Sequence, residues 1–218
     1  MEIKGKKVNI LGDSITAGGG ASCPANNYVN VFREISGADV EARGQGGTRI
    51  AKQIHPELSA DPIYNRYFAS RIKEMREEAD LVVVFGGTND FGHGDAPIGS
   101  FDDQNPDTFY GALRDLYTKL YEKYPMARII AITPLHRVGE DSGLNEVGRP
   151  CRPLVEYVNA IKAVAEEYSI PVLDLWSKGN LTAKVEAIEK MYFCDGLHPS
   201  DLGHRRIAES LYQFILSL

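Results

Sequence analysis

Cysteine is scarce in this chain. Cys23, Cys151 and Cys194 are the only three, at wide spacings and with no C-x-x-C among them. This excludes a disulfide framework and fits a reducing compartment. Apolar runs are short, and none approaches the ~18 consecutive apolar residues of a membrane span. The N-terminal MEIKGKKVNILGDS breaks its apolar stretch at Asn9, before the core of a signal peptide is reached. A cytoplasmic location without a membrane partner is therefore expected. Positive charge is in deficit, with 24 Lys and Arg against 30 Asp and Glu for a net charge of -6. That balance argues against a nucleic-acid surface. Repeats, low-complexity tracts and linkers are absent. So is the phosphate loop G-x-x-x-x-G-K-[ST], and Arg49 stands where a dinucleotide fingerprint after strand two would need glycine.

What remains is a length and a rhythm. At 218 residues, one domain spanning 1–218 is the default. Short β-rich runs alternate with helical stripes. The runs are Lys7 to Leu11, Ala38 to Ala42, Asp80 to Phe85, Arg128 to Thr133 and Ile170 to Leu175. The third, DLVVVF, is apolar enough to be buried on both faces. Asn27 to Ile35 reads as a helix. Phe109, Leu113, Leu116 and Leu120 form one helical stripe, and Leu154, Val158, Ile161, Ala165 and Tyr168 form another. Asn105-Pro106 reads as the cap and first turn of the former. A last helix is expected from about Ser200 to Ile215, with Ile207, Leu211 and Phe214 facing inward. Five strands alternating with helices imply an α/β protein with a five-stranded parallel sheet covered on both faces. Ligands of such sheets sit beyond the carboxyl ends of the strands.

Four segments at those ends carry polar groups suited to acyl transfer. Strand one runs into Gly12-Asp13-Ser14, which puts a serine at the start of a helical turn, either as a cap or as a nucleophile. Strand two runs into Gly44-Gln45-Gly46-Gly47-Thr48, where backbone can approach a ligand closely. Strand three runs into Gly87-Thr88-Asn89-Asp90, where the Asn89 amide is either an oxyanion donor or a turn former. Beyond strand five comes Asp195-Gly196-Leu197-His198. Its spacing lets the carboxylate reach one ring nitrogen and leaves the other to take a proton from serine.

Taken in order, these blocks resemble those of the SGNH hydrolases, also called GDSL esterases and lipases. Ser14, Gly47, Asn89 and His198 match the four signature residues, and the last block continues as DGLHPSDLGHRRIA, as in the family's esterase branch. The resemblance covers Val8 to about Ala208. It implies a three-layer α/β/α sandwich of flavodoxin-like type and a carboxylic ester hydrolase without a cofactor. The implied triad is Ser14, His198 and Asp195, with Asp13 in support. The implied oxyanion hole is the Ser14 N–H, the Gly47 N–H and the Asn89 amide, with Gly46 as the alternative to Gly47. Where the family often has asparagine before the second block's first glycine, this chain has Ala42 and Arg43.

Other residues take lesser roles. His93 and Asp95 lack further ligands at useful spacing, so no metal is expected. The segments 91–105 and 135–152, the latter with Arg137, Arg149 and Arg152, are expected to wall the substrate site. His204 belongs to the last helix and is not the base, Trp176 is core or rim, and Cys194 is a small packing residue. The expected partner is a small-molecule ester, with a short acyl group such as acetyl on a polar alcohol such as a carbohydrate. A lipase-like or thioesterase activity on longer chains is the alternative, and a non-catalytic carbohydrate- or acyl-binding module is a remoter one. The oligomeric state is not encoded in any motif.

Overall fold

The computed structural model describes residues 2–218. Five parallel strands form one sheet: β1 (Lys7–Gly12), β2 (Asp39–Gly44), β3 (Leu81–Phe85), β4 (Arg128–Ile132) and β5 (Val172–Leu173). Their order is β2-β1-β3-β4-β5, so the winding reverses between β1 and β3. The register sets Gly12 opposite both Gly44 and Phe85, and Phe85 opposite Ile132. The carboxyl ends therefore finish level, with the crevice of the switch point opening between β1 and β3.

Nine α-helices occur among the described residues. They are α1 (Ser14–Ala17), α2 (Tyr28–Ser36), α3 (Phe68–Arg71), α4 (Thr88–His93), α5 (Phe109–Lys123), α6 (Leu154–Glu167), α7 (Leu175–Lys178), α8 (Glu186–Tyr192) and α9 (Asp201–Ser217). Alternation along β3 divides the core. Val82 and Val84 pack with Leu113, Leu116 and Ile161 under α5 and α6. Leu81, Val83 and Phe85 pack with Phe32, Ile207 and Leu211 under α2 and α9. Side chains of one strand thus serve both layers, which is why Leu81–Phe85 carries no polar position to face water.

Three expectations shift in detail. The long helix after β3 starts at Phe109 with Thr108 as N-cap, whose hydroxyl accepts the Gly111 N–H at 3.2 Å. Asn105-Pro106 instead makes the turn before it, where the Asn105 carbonyl accepts the Thr108 N–H at 3.1 Å. On α9 the inward stripe is Ile207, Ala208, Leu211 and Ile215, while Phe214 is only partly buried. The fifth strand pairs over just two residues, because Asp174 caps α7 by accepting the Ser177 N–H at 3.0 Å.

Candidate active site

The serine sits where β1 ends. Gly12 has no room for a side chain, since a Cβ there would lie 2.0 Å from Thr16 Oγ1 and 2.9 Å from the Phe85 carbonyl oxygen. The chain turns at once into α1, whose N-cap is Asp13, accepting the Ile15 N–H at 3.0 Å. Ser14 is the first residue of α1, so its N–H has no acceptor within the helix. Burial pushes the Asp13 carboxyl up to about 6. Asp13 thus supports the serine by capping its helix.

The histidine comes from a tight hairpin. Phe193 and Pro199 bridge antiparallel, Cys194 N–H donates to the His198 carbonyl at 2.9 Å, and Gly196 takes φ +76° at the bend. The bend folds Asp195 back onto His198. Its Oδ1 accepts the N–H groups of Leu197 at 3.0 Å and His198 at 2.7 Å, and its Oδ2 lies 2.7 Å from ring Nδ1. Nε2 of the same ring lies 3.0 Å from Ser14 Oγ. A carboxylate at Nδ1 places the ring proton there, so Nε2 presents its lone pair to the serine hydroxyl. Partial burial pushes the Asp195 carboxyl up, but bonds from the ring and the two N–H groups outweigh it and hold it below the usual carboxylate range. The Cys194 thiol is exposed and donates to the Gly20 carbonyl at 3.2 Å, so it is not a buried packing residue.

The turn after β2 supplies the third part. Thr48 N–H and Oγ1–H both donate to the Gln45 carbonyl, at 3.4 and 2.8 Å. Gly47 takes φ +70° at the third position of this turn, where a side chain would also strike the Tyr64 ring at 2.3 Å. A Cβ on Gly46 would lie 3.8 Å from Ser14 Cβ, so the Gly46–Gly47 peptide runs beside the serine. Asn89 enters from α4. Its Nδ2 donates to the Thr48 carbonyl at 3.0 Å and its Oδ1 lies 3.1 Å from His93 Nε2. One amide hydrogen remains uncommitted. Ser14, His198, Asp195, Gly47 and Asn89 thus come together at the switch point.

A model of the GDSL-like lipase/acylhydrolase family matches residues 10–206. The chain belongs to this family. Like its relatives, this GDSL protein is built as an ester hydrolase. It is 31% identical to the isoamyl acetate-hydrolyzing esterase 1 homolog of Mus musculus, covering 91% of this chain and 76% of that protein. It is 29% identical to a GDSL esterase/lipase of Arabidopsis thaliana, over 94% of this chain and 84% of that one. A crystal structure of a protein from Lactobacillus plantarum superposes with a TM-score of 0.82 at 30% identity, over 99% of this chain and 98% of the other.

Several roles in this GDSL site were invisible in its motifs. Arg71 is buried, and its Nη1 donates to the Gly12 carbonyl at 3.0 Å and to Thr48 Oγ1 at 2.9 Å, while Nη2 donates to the Arg43 carbonyl. It pins the ends of β1 and β2 to each other, and burial lowers its guanidinium to about 10. Asp90 accepts the N–H groups of Ile50 at 3.0 Å and Ala51 at 2.8 Å, which fixes the chain beyond the glycine turn. Burial raises its carboxyl to about 7. His93 and Asp95 turn to separate protein partners. The His93 ring is held between Arg49 Nη2 at 2.6 Å and Asn89, and Asp95 accepts the N–H groups of Ile54 and His55 at 3.0 and 2.7 Å.

The two long loops also sort themselves. Phe91 to His93 belong to α4 rather than to a loop, and Ala96 to Ile98 line a separate cavity with Pro150 and Tyr157. The 135–152 segment borders the site more closely, because Val138 N–H donates to the Gly196 carbonyl at 2.9 Å. His204 lies in α9, as its sequence position indicates. Trp176 is half-buried against the His136 ring, 3.8 Å between centroids. Among the described residues no helix is long and apolar enough to cross a membrane.

Proposed function

We propose that the protein is a serine esterase that removes short acyl groups, acetyl foremost, from a polar alcohol such as a carbohydrate, in a reducing compartment such as the cytoplasm. The observation that carries the reading is the unbroken relay from Asp195 through His198 to Ser14 Oγ, 2.7 and then 3.0 Å. In the proposed cycle Ser14 Oγ attacks the ester carbonyl carbon and passes its proton to His198 Nε2. The carbonyl oxygen becomes an oxyanion facing the Ser14 N–H, the Gly47 N–H and the free Asn89 amide hydrogen. Collapse expels the alcohol, which takes the proton from His198, and leaves an acyl-serine. Water then attacks, with His198 again as base, and the acid departs. Asp195 holds the ring and stabilises its cationic form.

The acyl half of the substrate finds support in the mouse relative, whose name refers to an acetate ester. The alcohol half rests on the polar groups beside the oxyanion donors, Arg49, Tyr64 and His93, which suit hydroxyl-bearing groups better than a long alkyl chain. Three free cysteines among the described residues agree with the compartment.

Ser14→Ala and His198→Ala are each expected to abolish nearly all turnover of aryl acetates, with an acyl adduct on Ser14 in intact-mass spectra of the unmodified protein. Asn89→Ala should lower kcat about a hundredfold with KM little changed, the usual loss for one oxyanion donor. A series of aryl esters tests the acyl length. Acetate should give the highest kcat/KM, with a steep fall by octanoate, and an optimum at octanoate would overturn the short-acyl reading in favour of a lipase-like one.

A further inference from the structure

One wall of the active site continues into a cavity of about 330 Å³ lined by Arg49, Tyr64, His93, Glu146, Val147 and Arg149, among others. It begins one residue behind the oxyanion donors. The Tyr64 ring covers Gly47, and the His93 ring touches both Asn89 and the Tyr64 face, 5.7 Å between centroids. Its charge is lopsided. Glu146 is the carboxylate in the lining, and Arg137 from outside the cavity already pairs with it. Arg49 is 3% exposed, its Nη2 is used by His93, and its Nε and Nη1 are buried without any partner. The acids nearest Arg49, Asp90 and Asp95, are each occupied by two backbone N–H groups. Arg149 is half-buried beside it, and among the described residues its guanidinium meets no carboxylate. Two neighbouring cations, one of them desolvated, raise each other's energy; Asp90 and Asp95 offset part of this through space, but among the described residues neither guanidinium has a carboxylate at ion-pair distance.

We propose that this cavity is a subsite for an anionic group, a carboxylate in the simplest case, on the alcohol half of the ester. Arg149 makes the direct contact, and Arg49 supplies the fixed positive charge behind it. The inference rests on the short-acyl esterase reading. An acetyl group is spent at the oxyanion hole and has no atom left for a cavity that starts behind Tyr64 and His93, so the occupant belongs to the leaving alcohol. A hydroxy acid or an acidic sugar carrying an O-acetyl group has the required chemistry.

The test uses acetyl esters of ω-hydroxycarboxylic acids of increasing length, each paired with its uncharged primary amide. At the length that spans the gap the carboxylate should be preferred about tenfold or more in kcat/KM, as a charge-assisted contact gives. Added salt should shrink that preference. Arg149→Gln should bring the ratio close to one through a loss of kcat/KM on the carboxylate member. Equal turnover within every pair, or a preference that survives Arg149→Gln, overturns the subsite and leaves the esterase reading standing. Failure to cleave either member of any pair overturns the short-acyl reading and this inference with it.

Discussion

Asn89 shows how much of a single residue's chemistry its motif leaves unsaid. Gly-x-Asn-Asp announces an amide near the serine, but an amide rotates and can present oxygen or nitrogen. Its orientation is fixed by His93, four residues on and on the same face of α4. Arg49 has no lone pair to give, so it donates to His93 Nδ1, and the ring proton must sit on Nε2, where it meets Asn89 Oδ1. The amide nitrogen then faces the Thr48 carbonyl and the oxyanion position. His93→Phe keeps the bulk and loses this bond. It should lower kcat about tenfold with KM nearly unchanged, less than Asn89→Ala does. In the double variant His93→Phe should cost almost nothing further, because the group it orients is gone. Steady-state kinetics on the four proteins check this, and additive losses would show that His93 acts elsewhere. In the sequence, His93 beside Asp95 could only be weighed as half a metal site, because its partner Arg49 lies 44 residues away.

At the scale of elements, the sequence reveals periods and misses ends. The stripes of α5 and α6 and the apolar run of β3 fall where their spacing puts them, since burial enforces a period along a whole element. Boundaries depend on single competing hydrogen bonds, which is why Thr108 displaced Asn105 as the cap and Asp174 cut β5 short. The role of α9 was likewise out of reach, although its register was clear. His204 on its buried face accepts the Tyr28 N–H at Nδ1, 3.2 Å, and donates from Nε2 to the Gly19 carbonyl, 3.0 Å. Asp201, one turn earlier, accepts the Ser22 N–H at 2.8 Å. Together they hold the glycine strip after α1 against the base, where a Cβ on Gly19 would come within 2.7 Å of the His198 ring. His204→Phe fills the space but leaves a buried N–H and a part-buried carbonyl without their partner, at about 2 kcal/mol. Urea unfolding should show that loss, and kcat should fall as the strip behind His198 loosens. A variant as stable and active as the parent protein would refute the role.

For the molecule as a whole, the level strand ends gather a base from near the C-terminus and a serine from near the N-terminus, and they do so by burying ionisable groups. Those groups tie stability to pH with opposite signs. Burial, aided by the Arg49 and Arg137 charges, lowers the His93 ring from 6.5 to about 4. Above pH 6.5 it is neutral in both folded and unfolded chains and adds no slope. Between 6.5 and 4 the unfolded chain binds a proton that the folded one refuses, so stability falls as pH falls. His204, also lowered by burial, acts in the same direction. Asp90 and Asp13 oppose them. Raised from 3.8 to about 7 and about 6, they keep protons that the unfolded chain has released, so their contribution is present at low pH and is lost as pH rises through those values. The histidines and the aspartates therefore oppose one another in the net slope, and a single profile would not reveal what each group adds. Substitution does. His93→Gln retains a hydrogen-bonding side chain and removes one titration, so the variant should lose less stability than the parent protein between pH 7 and pH 5. At pH 7 the ring is neutral and any offset between the two proteins reflects packing and hydrogen bonding rather than titration. Urea midpoints at the two pH values measure the difference of differences, and parallel losses would mean that His93 titrates in the folded protein as it does in the unfolded chain.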